Sequence, residues 1–176
     1  MTPANLSAFD NHFTDYFSVG CSAMVKNAEC AMLRGRLFVG VITLVNSKLR
    51  KHTKIVKCDE RYVIIKIGNL VLINVYFPCS GTKDRVVLCE EMLAEISSWC
   101  ESFYRPMCQY VIAGDFNCNL DTNDSIAERG TQFIHKWSLE RCDNLLPNEM
   151  TYTYINFALN QQSYINYTCV IIFMCK

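Results

Sequence analysis

Residues 61–78 read RYVIIKIGNLVLINVYFP and contain two apolar runs separated by Gly68-Asn69. A two-residue link of this kind between β-branched runs predicts a tight β-hairpin. The second run, Leu70–Phe77, alternates so little between apolar and polar residues that we expect it to be covered on both faces. Pro78 ends the run, because proline has no amide hydrogen to donate to a β-ladder.

The segments around the hairpin predict further strands and two helices. Apolar side chains from Val86 to Phe103 recur every three or four residues, which predicts a helix over residues 83–103. The other predicted elements are a strand at Val39–Val45, a strand at Gln109–Ala113, a helix that begins near Ser125 with Glu128 at capping-box spacing, and strands at Thr151–Asn156 and Ser163–Met174. Hairpin-paired strands mixed with helices indicate an α/β fold with a mixed or antiparallel sheet.

The composition is that of one ordinary folded domain spanning residues 1–176. The chain is 51% hydrophobic and 19% charged, which excludes a disordered, collagen-like or coiled-coil protein. Basic and acidic residues number 17 each, yet seven basic residues and no acidic one lie between Arg34 and Lys57. Such a run is usually a solvated surface, although it can also follow a phosphate backbone.

The 11 cysteines include no Cys-x-x-Cys pair, and several lie in apolar runs. The three histidines are far apart in sequence, so the pattern does not predict a zinc site. We expect reduced thiols in the core of an intracellular protein, nuclear or cytoplasmic. No apolar stretch reaches the roughly 20 residues of a membrane helix, and we expect no signal peptide, because the first residues do not have the pattern of a cationic secretory leader.

The sharpest candidate for chemistry is the segment Val111–Asn119, in which a buried strand leads into Gly114, Asp115 and Asn117. An aspartate there can hold a hard cation or orient a water, and an asparagine can hydrogen-bond a phosphate without repelling it. Taken alone, the pattern is more typical of an Asx turn at the end of a strand. A tyrosine before a proline, Tyr76, is likewise most simply a core residue with its hydroxyl at the rim.

Taken in order, these segments resemble the endonuclease/exonuclease/phosphatase superfamily, whose fold is that of deoxyribonuclease I. The resemblance covers nearly the whole chain. It is carried by Asn74-Val75-Tyr76-Phe77-Pro78, Gly114-Asp115-Phe116-Asn117, Thr151–Tyr154 and Ser163–Tyr167. In addition, Arg34–Val41 is similar to the Arg-Gly-Arg-x-Phe-Gly-Gly-Val segment of the endonuclease domain that precedes reverse transcriptase in non-long-terminal-repeat retrotransposons. The resemblance to this superfamily implies a four-layer α/β/β/α sandwich with mixed, largely antiparallel sheets. It also implies Mg²⁺-dependent hydrolysis of phosphodiesters.

The resemblance also assigns roles to individual residues. Asp115 would position and deprotonate the attacking water, Asn117 would bind the scissile phosphate, and both would serve the Mg²⁺ site. Tyr76 would contact the phosphate or the developing charge. With DNA as the substrate, further contacts are expected from Asn119, Asn166, Arg36, Lys51 and Lys54.

Three features of the family's active site have no counterpart in this sequence. The metal-binding Glu would precede the first segment, the family's Ser-x-Ile-Asp is Ser163-Tyr164-Ile165-Asn166, and the C-terminal Ser-Asp-His motif is missing. We therefore expect a partial domain, truncated at both ends, whose Mg²⁺ site and activity are weakened or lost. Three functions stay open: a DNA-nicking endonuclease domain of a retrotransposon, a non-catalytic remnant that binds nucleic acid, and a phosphoesterase acting on a phosphoinositide or a nucleotide.

Overall fold

The structure, a computed structural model, describes residues 11–21, 40–103, 108–145, 152–156 and 160–171. Over these ranges the fold is α/β, as the mixture of a hairpin and helices predicts. The chain divides into two compact units, residues 1–75 and residues 76–176. No helix among the described residues has the length and apolar character needed to cross a membrane.

The first unit is built from antiparallel strands. Its described elements are β1 (Tyr16–Cys21), β2 (Val41–Asn46), a 3₁₀ helix (Ser47–His52), β3 (Thr53–Cys58), β4 (Tyr62–Ile67) and β5 (Leu70–Tyr76), whose last residue already belongs to the second unit. Strand β1 pairs with β2, and β3, β4 and β5 form a second antiparallel ladder in that order. Every side chain from Tyr62 to Ile65 is buried, so both faces of β4 contribute to the core.

The hairpin predicted from residues 61–78 is confirmed. Ile67 lies opposite Leu70, so Gly68 and Asn69 form the turn. Strand β5 alternates between buried and half-buried residues, whereas its sequence predicted cover on both faces. The half-buried face carries Asn74, whose Nδ2 donates a hydrogen bond to the carbonyl of Ile42 at 2.9 Å. The second face of β5 is therefore partly covered, and one of its contacts with β2 is polar.

The second unit combines helices with short antiparallel strands. Its described elements are α1 (Arg85–Ser102), β6 (Gln109–Asp115), α2 (Ser125–Lys136), β7 (Leu139–Arg141), α3 (Cys142–Leu145), β8 (Tyr154–Asn156), β9 (Gln161–Ser163) and β10 (Asn166–Ile171). Strand β10 pairs with β6 on one side and with β7 on the other, while β8 pairs with β9. The Tyr110 hydroxyl donates to the carbonyl of Cys100 at 3.1 Å, which ties β6 to α1.

The predicted helices are confirmed, and the four cysteines predicted to lie in the core are buried free thiols. Helix α1 buries the expected stripe of apolar residues, including Cys89, Leu93, Ile96 and Cys100. The nine cysteines within the described ranges are free thiols. The buried ones include the four that the sequence places in apolar runs, which are Cys89, Cys100, Cys108 and Cys169. Cysteine packing therefore contributes to the core without any cross-link in this part of the chain.

The capping box predicted at Ser125 and Glu128 is wrong. Ser125 is the first residue of α2, and the N-cap is Asp124, which makes no side-chain capping bond. The Asp124 carboxylate lies instead 3.3 Å from Nη1 of Arg85. An ion pair with a distant residue has therefore replaced the local cap.

The strand boundaries also differ from those predicted. Strand β6 continues past Ala113 to Asp115. The predicted strand Ser163–Met174 is interrupted, because the hydroxyl of Thr153 accepts hydrogen bonds from the amides of Ile165 and Asn166 at 2.9 and 3.1 Å. The sequence did not predict β1, β3, β7 or α3, and it predicted only the last residue of β9. The burial of β3 does not alternate and its register shifts between Ile55 and Lys57, so its sequence lacks the alternation that indicates a strand. The predicted residues Val39, Thr151 and 172–174 lie outside the described ranges.

Candidate functional site

The segment from Asp115, the last residue of β6, to Leu120 alternates between half-buried polar and buried apolar residues. Phe116, Cys118 and Leu120 are buried, and each follows a half-buried polar residue. The Phe116 ring packs against the Phe77 ring at 4.5 Å between centroids and against the Tyr167 ring at 5.4 Å. These apolar anchors hold the polar side chains of Asp115, Asn117 and Asn119 at the end of the strand.

Asp115 ends β6 and is fixed by hydrogen bonds on both its backbone and its side chain. Its carbonyl accepts the amide of Phe77 at 2.8 Å, and its Oδ1 accepts the amide of Asn117 at 2.8 Å. The second bond is the Asx turn typical of a strand end. Partial burial raises the pKa of the Asp115 carboxyl, and the Asn117 amide opposes this shift. A carboxyl with a raised pKa is a better proton acceptor than an ordinary aspartate.

Asn117 adopts a left-handed backbone conformation, with φ of +49°. Its Nδ2 donates to the carbonyl of Phe77 at 2.8 Å, and its own carbonyl accepts Nη2 of Arg85 at 2.8 Å. The side-chain nitrogen therefore ties the loop that follows β6 to Phe77, within the second unit. The side-chain oxygen, Oδ1, is the atom left to contact a cation.

The antiparallel register places Asn166 directly opposite Asp115 on β10. The Asn166 side chain is exposed. Tyr76 precedes the residue whose amide bonds the Asp115 carbonyl, and its side chain is half-buried. The structure thus brings Asp115, Asn117 and Asn166 to one end of the β6–β10 pair, with Tyr76 one residue from it along β5.

Asn119 belongs to a hydrogen-bond network behind these residues. Its Oδ1 accepts the amide of Asp121 at 3.0 Å and lies 3.3 Å from the Tyr167 hydroxyl. That hydroxyl also accepts the amide of Leu120 at 3.0 Å, and burial raises the pKa of Tyr167 to about 12. The phenol is therefore neutral. The Asn119 oxygen stabilises the loop that follows Asn117, because it accepts hydrogen bonds from Asp121 and Tyr167.

Arg141 closes the same network from β7. Its guanidinium makes two hydrogen bonds to the Asp121 carboxylate, at 2.6 and 3.2 Å, and lies 5.0 Å from the centre of the Tyr167 ring. The bonds from Arg141 lower the pKa of Asp121. No sequence pattern associates Arg141 with this region, because Asp121 and Arg141 are 20 residues apart.

The predicted basic contacts belong to the other unit. Lys51 lies in the 3₁₀ helix and Lys54 in β3, and both side chains are exposed. Lys54 lies directly opposite Lys66 on β4. Within the described part of the chain, none of Lys48, Lys51, Lys54 and Lys66 forms an ion pair. Arg36 lies outside the described residues.

The donor atoms near Asp115 suit one kind of metal site. Among the described residues there is no group of three or more His, Cys, Asp or Glu side chains placed to hold an ion. Mg²⁺ does not need such a group, since it keeps several waters and takes one or two carboxylates together with substrate phosphates. One carboxylate, from Asp115, and the amide oxygens of Asn117 and Asn166 make a hard-oxygen donor set of that class.

Two residues that hold this region together were missed from the sequence. Arg85 bonds the carbonyls of Pro78 and Asn117, and the Thr153 hydroxyl bonds the amide of Asn166. The only sequence signal for Arg85 was a cation in the first turn of a helix, where the helix dipole favours acids. Thr153 gave no separate signal, because threonine is an ordinary strand residue.

No family model matches this chain. A search of curated proteins finds no significant match either. The candidate site accordingly rests on the placement of Asp115, Asn117 and Asn166.

Proposed function

We propose that the chain is a metal-dependent phosphodiester hydrolase of the endonuclease/exonuclease/phosphatase type and that its substrate is DNA, which it nicks. The observation that carries the proposal is that Asp115 and Asn117, from one motif, and Asn166, from another, lie at the same end of the β6–β10 pair. Their order along the chain is the order that the resemblance requires.

In this proposal, Asp115 accepts a proton from the attacking water. Burial raises the pKa of the Asp115 carboxyl, which favours that role, and the Asn117 amide keeps one carboxylate oxygen fixed. Mg²⁺, when bound by Asp115 with the Asn117 and Asn166 oxygens, would neutralise charge on the phosphate. Tyr76 would donate a hydrogen bond from its phenol group to a phosphate oxygen, because a hydrogen-bond donor stabilises the charge that develops there.

The proposal extends to the fold and the location. We infer a four-layer α/β/β/α sandwich of the deoxyribonuclease I type, supported by the antiparallel ladders in each unit and by the helices of the second unit. A nuclear or cytoplasmic location is supported by the free thiols of the described cysteines, since reduced cysteines are typical of those compartments.

A plasmid-nicking assay tests the hydrolase directly. Purified chain is incubated with supercoiled plasmid and Mg²⁺, alongside Asp115→Asn and the matched variant Asp121→Asn, which changes a carboxylate outside the proposed donor set. We expect Mg²⁺-dependent nicking that chelation stops, that Asp115→Asn lowers by at least about 10²-fold, and that Asp121→Asn retains. Equal nicking by Asp115→Asn would overturn the proposal. Hydrolysis of inositol phosphates or nucleotides in place of plasmid would favour a different phosphoesterase.

A second candidate, nucleic-acid binding without cleavage, is favoured by the lysines of the first unit. Lys48, Lys51 and Lys54 are exposed, and none has an acidic partner among the described residues. Cations without protein partners are available to neutralise phosphates. Binding of DNA that survives chelation, with no nicking at any Mg²⁺ concentration, is the expected signature of this alternative.

A further inference from the structure

One guanidinium group, that of Arg85, bonds three separate segments of the second unit. Its Nε donates to the carbonyl of Pro78 at 2.9 Å, in the loop that leaves β5. Its Nη2 donates to the carbonyl of Asn117 at 2.8 Å, in the loop that leaves β6. Its Nη1 lies 3.3 Å from Oδ2 of Asp124, the N-cap of α2. The side chain is only 19% exposed, so these bonds are largely shielded from water.

The position of Arg85 is not explained by the helix that carries it. Arg85 is the first residue of α1, whose first turn contains no acidic side chain and whose N-cap, Asp84, makes no capping bond. A cation at a helix N-terminus is opposed by the helix dipole. The contacts of Arg85 with other segments must therefore account for its placement.

We propose that Arg85 is the positioning residue of the candidate site, holding the loop after β5 and the loop after β6 in one arrangement. This inference rests on the proposed function, because it concerns the same Asp115 and Asn117. A planar guanidinium suits the role, since its donors point in fixed directions and can reach two carbonyls at once. The bond to the Asn117 carbonyl stabilises the left-handed backbone that aims the Asn117 side chain at Phe77.

Arg85 would act through geometry and not through its charge. Its bonds to the carbonyls of Pro78 and Asn117 hold the two loops that lie beside Asp115. Removing Arg85 should therefore lower the rate of the reaction, because the two loops would no longer be held in one arrangement. Misplacing a reacting group by about 1 Å can cost roughly 10²-fold in rate.

The chain offers a matched control in Arg129. This arginine also joins the two helices, because its Nε on α2 lies 2.6 Å from Oε1 of Glu90 on α1. It bonds no carbonyl of the two loops among the described residues. Arg129→Ala thus removes an α1–α2 ion pair of the same type and leaves the loop contacts intact.

Amide hydrogen exchange tests the positioning role without any need for activity. In Arg85→Ala we expect protection of the Phe77 and Asn117 amides to fall by about tenfold to a hundredfold, because hydrogen bonds to a charged donor are lost. In Arg129→Ala the protection of both amides should stay unchanged. Unchanged protection in Arg85→Ala, or an equal loss in both variants, would overturn the proposal.

Nicking kinetics complete the test. At a temperature where both variants are folded, Arg85→Ala should lose about 10²-fold in kcat with an unchanged KM. Guanidinium at a non-denaturing concentration should restore activity to Arg85→Ala, while sodium at matched ionic strength should not. Lost amide protection with wild-type kcat would refute the proposal. If the wild-type chain does not nick, the proposed function fails and the exchange result alone decides whether Arg85 positions the loops.

Discussion

At the scale of single residues, two aspartates near the end of β6 have opposite electrostatic environments. Burial raises the pKa of the Asp115 carboxyl, so its ionised form is less favourable in the folded chain than in the unfolded one. The Arg141 guanidinium lowers the pKa of Asp121, so its ionised form is more favourable when folded. The two carboxyls must therefore change stability with pH in opposite directions.

We predict that Asp115→Asn raises the midpoint of thermal unfolding near neutral pH. With a raised folded-state pKa, Asp115 favours folding fully below its unfolded value of 3.8, and that contribution is lost as the pH rises through the folded pKa. Asparagine keeps the shape and the acceptor for the Asn117 amide but carries no charge. Circular dichroism melts from about pH 3 to about pH 8 should show the gain appearing only above the ordinary aspartate pKa.

Asp121→Asn is the matched control, with the opposite sign. The contribution of Asp121 is present above 3.8 and is lost as the pH falls through its lowered folded pKa, so this variant should melt earlier near neutral pH and match wild type in acid. A loss of stability in Asp115→Asn at neutral pH would contradict the burial that we assign to that carboxyl.

The candidate site was predictable where its residues share a short segment. Asp115 and Asn117 are two positions apart, so the sequence placed both at the end of one strand, and the structure confirms this local arrangement. Arg85 could not be found in the same way, because it bonds a carbonyl 32 residues away. A backbone carbonyl carries no sequence signature, so a side chain that bonds one is visible only in the fold.

At the scale of elements, the β4–β5 hairpin shows why a local signal succeeds. Its turn needs only two residues, and Gly68 has a φ of +58°, a conformation that glycine adopts without strain. A Cβ added to Gly68 would meet no atom within 4 Å. Any cost of a side chain there must therefore come from the backbone and not from packing.

We predict that Gly68→Ala destabilises the chain by about 1 kcal/mol, which is the order of cost for an L-residue in the left-handed region. For a chain of this size the midpoint of thermal unfolding should fall by about 2–4 °C. Gly68→Asn should lose less, because asparagine tolerates this conformation. Asn69→Ala, at the neighbouring turn position with an ordinary φ, is the control and should change little. Equal losses in Gly68→Ala and Asn69→Ala would show that the backbone conformation is not the cause.

The sequence did not predict features of the fold that depend on contacts between distant residues. Strand β3 carries Lys54 and Lys57, so its sequence looks like an exposed basic run, and only pairing with β4 makes it a strand. The N-cap of α2 was misassigned for a related reason, because Asp124 is engaged by Arg85 from another helix. In both places a tertiary contact overrides the local preference.

At the scale of the whole molecule, the balanced charge of the chain conceals a basic surface on the first unit. The register of β3 and β4 places Lys54 directly opposite Lys66, and like charges in that position destabilise a sheet. The sequence located the basic run, but only the strand register reveals this juxtaposition. Among the described residues, neither Lys54 nor Lys66 has an acidic partner. An anion bound between these two lysines would reduce their repulsion.

We predict that the double variant Lys51→Gln/Lys54→Gln weakens DNA binding by removing contacts with phosphates. Each neutralised phosphate contributes about 0.9 to the slope of log K against log salt, so the slope should become shallower by about 1.8. Fluorescence anisotropy of a labelled duplex, measured in chelator across a range of salt concentrations, gives both the affinity and the slope. Because Lys54→Gln also relieves repulsion from Lys66, the fold should be at least as stable, so weaker binding cannot be attributed to unfolding.

The control for this prediction removes two cations of the second unit that already have acidic partners. Arg129 pairs with Glu90 at 2.6 Å and Lys136 pairs with Glu101 at 3.4 Å, so Arg129→Gln/Lys136→Gln makes the same change in net charge. If binding depended only on total charge, both double variants would lose the same slope, and the basic surface of the first unit would have no special role. A shallower salt slope only in Lys51→Gln/Lys54→Gln would instead locate the phosphate contacts on the 3₁₀ helix, which carries Lys51, and on β3, which carries Lys54.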